Sequence, residues 1–454
     1  MKTRVRLSLL IICSLICTAC TNTVAVEEQP QAVPVQDTLG MVPDFSYVVP
    51  EQIPNVFVDS TGYCPEDKKI AFFAGNELDG SFEVRDADTG ETVYTGSIVE
   101  VADMDGRLLY AGNFTGLSKE GKYYIRQTQV GDSYDFEISD SVYEKKFVVL
   151  ERIAREYTYT NVSDAAYTLT NMLFLQEMFG EDGVDSLYVK DMLTKLMYSQ
   201  DAKSGAFYGE MKEAPIETEQ AAAPAEGTPE EQEGTVSLTA TAQMAGLLAK
   251  YSYLYKQTEP AFSQECLRAS QKAYKYMEQY RGNTDTDTWY FAATELFRAT
   301  NQYKYRNAIR EYDAMEAGLK SRSMQNYTVL ADLTYLSTNY GTDYNRCASL
   351  LDSYMDRAQN ISVNATKEHF YVHPEVVTMS DGDILDDMII LGVVNHVLSG
   401  QEYEGIERNY IHYLSGANPE AKDYMAKRML VPDPEEGVNI TNVAKLLVIY
   451  GNMG

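Results

Sequence analysis

The run LTATAQMAGLLAKYSYLY, Leu238 to Tyr255, decides the fold. Small residues (Ala242, Ala245, Gly246, Ala249) stand among Met244, Leu247 and Leu248 at helical spacing, which lets neighbouring helices approach closely. The same spacing recurs outward on both sides, in AAYTLTNMLFLQEMFG, LYVKDMLTKLMYSQ, QECLRASQKAYKYMEQY, TWYFAATELFRAT, ILDDMIILGVVNHVLSG and YEGIERNYIHYLSG. From about Tyr143 onward, roughly ten or more such segments follow one another with no strand block between them. That pattern predicts a toroid or array of helical hairpins.

Upstream the period changes. Between Ile53 and Leu150, short alternating runs (KKIAFFA, SFEVRDADTGETVYTG, RLLYAGNF, GKYYIRQT, YDFEIS) are separated by turn residues, which predicts a β-sandwich over 51–150. Residues 20–50 are polar and proline-bearing and read as a flexible tether. Before them, Lys2, Arg4 and Arg6 precede an apolar run and the small-residue end Cys17-Thr18-Ala19-Cys20. This reads as a signal peptide over 1–19 with a lipobox-like end, Cys20 being the lipidated residue; ordinary secretion with cleavage near Ala19 is the alternative. The expected location is extracytoplasmic, anchored to the cell membrane by the N-terminal lipid. Within the helical part, 213–234 is rich in Glu and Pro without Lys or Arg and reads as a disordered acidic insert.

Charge narrows the partners. Against 67 acidic residues stand 38 basic ones, a formal net charge of −29. This excludes a nucleic-acid binder resting on counterion release. It argues equally against a polybasic membrane patch. Cys64, Cys266 and Cys347 are scattered without metal-ligand spacing and read as buried small hydrophobes.

Several stretches resemble a known family. TGYCPEDKKIA (Thr61–Ala71), FEVRDADTG (Phe82–Gly90) and GKYYIR (Gly121–Arg126) look like the immunoglobulin-like N-terminal domain of glycoside hydrolase family 9 cellulases. In the helical part, Thr239-Ala240-Thr241-Ala242 is similar to that family's T-A-A-T-A helix. WYFAATELFRAT (Trp289–Thr300) is similar to its W-A-A-A-E-L-Y-R-A-T helix, and YLSGANP (Tyr413–Pro419) to its Y-L-L-G-x-N-P turn. The resemblance implies a multidomain β + α protein: an immunoglobulin-like β-sandwich, then an (α/α)6 toroid of the six-hairpin glycosidase type over 151–454.

The family hydrolyses β-1,4-glucan with inversion, using one carboxyl group as acid and another as base across the scissile bond. Its base lies in a D-A-G-D motif, where this chain reads Asn161-Val162-Ser163-Asp164, so the resemblance carries the base to Asp164 alone. The acid maps to Glu435 or Glu436, with Glu436 the better register; both also suit a helix N-terminus. Where the family has a His- and Arg-containing substrate loop, Asp423, Tyr424, Lys427 and Arg428 stand instead. Tyr424, Arg428 and the single tryptophan, Trp289, are the candidate substrate contacts, although Trp289 also reads as barrel core. His369 and His373 are four apart without a helix signal. The cluster Asp381, Asp383, Asp386 and Asp387 suits a helix start and leaves a structural calcium ion as an option; no other cofactor is expected.

Two functions follow. In one, the barrel binds β-glucan or a related polysaccharide at the cell surface with weak or lost hydrolysis. In the other, it is an active inverting β-glycosidase with Glu436 as general acid. The incomplete base motif and the lone tryptophan favour the first.

Overall fold

The computed structural model describes residues 53–454 except 105, 181–183, 214–233, 316–323, 325, 399, 432–436 and 454. The signal peptide, tether and Cys20, most of the acidic insert, and Glu435 and Glu436 lie outside the described residues.

Strands come first: β1 (Val56–Phe57), β2 (Ile70–Gly75), β3 (Ser81–Asp86), β4 (Thr92–Met104), β5 (Arg107–Asn113), β6 (Gly121–Gln127), β7 (Gly131–Asp132) and β8 (Phe136–Ile138). All their pairings are antiparallel, in the order β1-β2-β5-β4-β3-β6-β7, with β8 also on β6. β4 serves two layers: Thr92–Ser97 pairs with β3, then Ile98–Met104 pairs with β5. Alternation puts Phe73, Phe82, Val84, Tyr123 and Ile125 inward to make the sandwich core.

On β2, however, Ala71 to Ala74 are all buried. Phe73 faces the sandwich interior, whereas Phe72 and Ala74 pack with Ala417, Ala421 and Phe370 of the helical part. The YLSGANP turn is what they meet. Gly416 adopts φ +127°, and a Cβ there would lie 2.7 Å from the Val58 carbonyl oxygen, so only glycine allows this approach. Asn418 Nδ2 donates to the carbonyls of Tyr413 (2.7 Å) and Lys422 (2.8 Å), holding the turn closed.

A polar cluster seals the same interface. Asp67 accepts from the Cys64 amide (2.6 Å), the Tyr143 hydroxyl (2.8 Å) and Arg408 Nη1 (2.5 Å). Asp59 Oδ2 faces His412 Nδ1 at 2.8 Å, and both Asp59 and Asp67 are buried.

The helices are α1 (Val142–Glu156), α2 (Val162–Phe179), α3 (Ser186–Met197), α4 (Leu238–Leu254), α5 (Pro260–Gln279), α6 (Thr286–Thr300), α7 (Tyr303–Met315), α8 (Asn326–Leu336), α9 (Tyr344–Ala365), α10 (Asp381–Val397), α11 (Glu404–Leu414) and α12 (Ile440–Met453). Even-numbered helices form the inner ring: α2 packs on α4, α4 on α6, α6 on α8, α10 on α12, and α12 back on α2. Their sequences are apolar nearly all round, as burial between axis and outer layer requires. The outer helices bury one stripe; on α5 it is Ser263, Cys266, Ala269, Ser270, Ala273, Tyr274 and Met277. This is an (α/α)6 toroid behind an immunoglobulin-like domain. One feature differs from the strand-free reading of the helical part: β9 (Phe207–Tyr208) pairs antiparallel with β10 (Val236–Ser237), which ends where α4 begins.

Cys64 and Cys266 are buried and Cys347 is half-buried, all as free thiols. Burial pushes the first two thiols up to about 12, which keeps them un-ionised and inert at neutral pH.

Candidate active site at the barrel mouth

The first turns of the inner helices meet at one end of the ring. At α2, Asn161 is the N-cap: its Oδ1 accepts from the Asp164 amide (2.7 Å), and its Nδ2 donates to Asp164 Oδ2 (2.5 Å). The Asn161 side chain thus caps the helix and holds the acid at its third position, side chain to side chain. The Asp164 carboxylate is half-buried and tethered, and the amide beside it cannot exchange a proton as a second carboxylate would.

Opposite, the Tyr327 hydroxyl at the start of α8 is buried without a partner. Burial, then the carboxylates of Asp285 and Asp164, push its phenol well above the ordinary range. Tyr327 meets Tyr167 of α2 edge-on, with ring centroids 5.5 Å apart. Beyond Tyr167 lies Asp386 of α10, whose carboxyl burial lifts to about 6 despite the ammonium of Lys445 at 2.8 Å. Lys445 belongs to α12, is 2 % exposed, and also donates to the Gly382 carbonyl. The floor of the mouth is therefore a carboxyl–tyrosine–carboxyl series closed by one lysine.

The acidic cluster divides among different partners. Asp381 pairs with Arg428 (2.7 Å), Asp383 accepts from the hydroxyl of Ser380, the N-cap of α10, Asp386 meets Lys445, and Asp387 is held by Arg357 (2.7 Å). Arg428 also lies over the Tyr424 ring, 4.6 Å from its centroid. Two of the sequence-derived contacts, Tyr424 and Arg428, are thus brought together at the α10 rim. Trp289 is not with them. It is 2 % exposed with the Arg281 guanidinium 3.5 Å over its ring, so it offers no open face to a sugar. His373 caps a short turn through Nδ1 and faces Asn364 through Nε2, while His369 is exposed.

An open cavity of about 800 Å³ adjoins Asn161. Tyr159, Tyr198, Lys195, Glu210 and Lys212 are on its walls. Glu210 stands opposite Asn161 in a backbone bridge, which places its chain segment against the cap of α2. Stacking faces with hydrogen-bonding groups on a concave wall suit a sugar chain. Sequence reasoning missed Tyr159, Tyr198, Glu210 and Lys445. For Lys445 a signal existed: a lysine inside the apolar run ITNVAKLLVIY must find a buried acid.

At the far end of the ring an ion network closes the axis. Glu177 of α2 pairs with Lys250 of α4 and Arg298 of α6; Arg298 also meets Glu295 (2.7 Å), and Glu295 accepts from Thr334 of α8 (2.7 Å). Lys250 and Arg298 outweigh the burial that would raise the Glu177 carboxyl and hold it below its usual range.

Comparison with known proteins agrees with this architecture. Residues 162–427 match the model for glycosyl hydrolase family 9, a range that includes Asp164 and ends ahead of Glu435 and Glu436, and residues 51–132 match the cellulase N-terminal ig-like domain. Endoglucanase D of Acetivibrio thermocellus is 21% identical over 457 residues, covering 81% of this chain and 72% of that protein. A metagenome-derived family 9 endoglucanase superposes with TM-score 0.68 at 17% identity, over 87% of this chain and 98% of its own. The Bacteroides ovatus GH9 structure gives 0.66 at 16% identity, over 88% and 99%. With the helical domain matched along most of its length and the sandwich matched separately ahead of it, the chain belongs to glycosyl hydrolase family 9.

Proposed function

We propose that this protein is a cell-surface lipoprotein, anchored through Cys20, whose barrel mouth binds β-glucan or a related polysaccharide with weak or no hydrolysis. The observation that carries this reading is the state of the α2 cap. An inverting reaction needs a free carboxylate to activate water about 6.5–9.5 Å from the acid. Asp164 is the sole carboxylate of its motif here, and the Asn161 amide ties it down beside the cavity. Asp386 on the floor is engaged as well, paired with Lys445 at 2.8 Å.

The test is reducing-end release from a panel of β-glucans and xyloglucan by protein beginning at Thr21, beside Glu436→Gln, with affinity electrophoresis on the same glycans. Retarded migration without release supports the reading. Release that vanishes in Glu436→Gln overturns it and establishes the inverting hydrolase with Glu436 as acid. For the anchor, wild-type protein incorporates labelled lipid and sediments with membranes, and Cys20→Ser does neither; equal sedimentation of both would refute lipidation at Cys20.

A further inference from the structure

On the flank of the toroid, beside the C-terminal end of α8, a cavity of about 300 Å³ lies between α7 and the start of α9. Three arginines stand on its walls: Arg306 and Arg310 of α7 and Arg346 of α9. Arg306 and Arg310 are four residues apart, so one face of α7 presents both, a spacing at which like charges repel. Among the described residues neither guanidinium has an ion-pair partner. In a chain with 38 basic and 67 acidic residues, two unpaired guanidiniums on one cavity stand out.

Arg346 supplies a second, independent observation. It is 7 % exposed. Its Nε and Nη2 meet Asp313 at 2.7 and 2.9 Å, and Nη2 also contacts the Tyr290 hydroxyl at 2.7 Å. Its Nη1 is buried with no partner. A buried charged donor without an acceptor is costly, and the guanidinium that carries it stands on the wall of this cavity. The two acids on the walls are already engaged: Asp313 by Arg346, and Asp343 by capping the Arg346 amide (3.1 Å). Asn345 and Ser349 add neutral side-chain donors, and the N-terminus of α9 turns its positive end to the same place.

We propose that this cavity binds an oxyanion, with Arg306 and Arg310 as its ligands and the Arg346 guanidinium adding positive charge on its wall. A carboxylate, sulfate or phosphate group pairs two oxygens with a planar guanidinium. Such a group comes either from a free inorganic anion or from an acidic substituent on a polysaccharide.

Calorimetric titration of the full-length protein at constant ionic strength separates the sources. Inorganic phosphate and inorganic sulfate form one arm, and an oligogalacturonide the other. Saturable one-to-one binding is expected, weakened about tenfold by Arg310→Gln and by Arg306→Gln. Arg310 is exposed, so its replacement leaves the fold intact, and circular dichroism checks this. Binding by the inorganic anions alone identifies a free-anion site, and tighter binding by the oligogalacturonide identifies an acidic glycan; both support the proposal. No saturable binding of any of the three, or equal binding in wild type and both variants, overturns it.

Discussion

Replacing Glu407 by glutamine should make the protein more stable, and increasingly so as pH rises. Glu407 lies on α11, 1 % exposed, with Oε1 unpartnered and Oε2 reached only by Asn452 Nδ2 at 3.5 Å. Space for it exists because residue 392 is glycine: a Cβ there would stand 3.1 Å from Oε1. Burial raises the carboxyl from 4.5 to about 8; Asn452 and Arg408 oppose the rise, and Glu404 adds to it. Since the folded-state value lies above the unfolded one, stability from this group is complete below about pH 4.5 and is lost as pH climbs to about 8. The rise from 4.5 to about 8, at about 1.36 kcal/mol per pH unit, amounts to roughly 5 kcal/mol. At pH 7 roughly 3 kcal/mol of it is already lost. Glu407→Gln keeps the shape without the ionisation. Urea unfolding of both proteins at pH 5, 7 and 9 reads the difference, which should grow from under about 1 kcal/mol at pH 5 to roughly 5 kcal/mol at pH 9 in favour of the variant. Parallel pH curves, or a variant that loses ground as pH rises, would refute the reasoning.

Other substitutions probe the packing. Arg408→Ala removes the cation from fully buried Asp67 and should cost about 3 kcal/mol. Proteolysis between Ile138 and Val142 should then accelerate, and an unchanged rate would show that the sandwich docks without this pair. Gly246→Ala drives a methyl into the Phe291 ring where α4 meets α6, an overpacking worth about 1–3 kcal/mol by thermal unfolding. Glu295→Ala leaves Lys250 and Arg298, 1 % and 0 % exposed, short of counter-charge, at about 3–5 kcal/mol. Adding Lys250→Met should recover part of that loss, and strictly additive losses would contradict a shared network.

Local signals carried the architecture. Alternation in KKIAFFA and SFEVRDADTG marks strands because successive side chains leave opposite faces of a sheet, and the pattern in Leu238–Tyr255 marks a helix because every third or fourth residue shares a face. The YLSGANP turn was equally visible, but its work was not: Gly416 matters because the Val58 carbonyl, far away in sequence, comes against it. The acidic cluster at α10 was legible as a helix start. That its carboxylates divide among Arg428, Ser380, Lys445 and Arg357 depended on the register of separate helices.

By itself, then, the sequence determined what depends on neighbours within one or two turns: the strand-to-helix switch, the helical repeat, the helix start at the acidic cluster Asp381–Asp387. The tertiary structure alone decided which charged groups would be paired and which would not. It buried Trp289 under Arg281, paired Lys445 with Asp386 on the floor of the mouth, and left Oε1 of Glu407 and Nη1 of Arg346 without partners. The reason is that burial and ion pairing depend on distances between elements remote along the chain, and those distances exist only once the ring has closed.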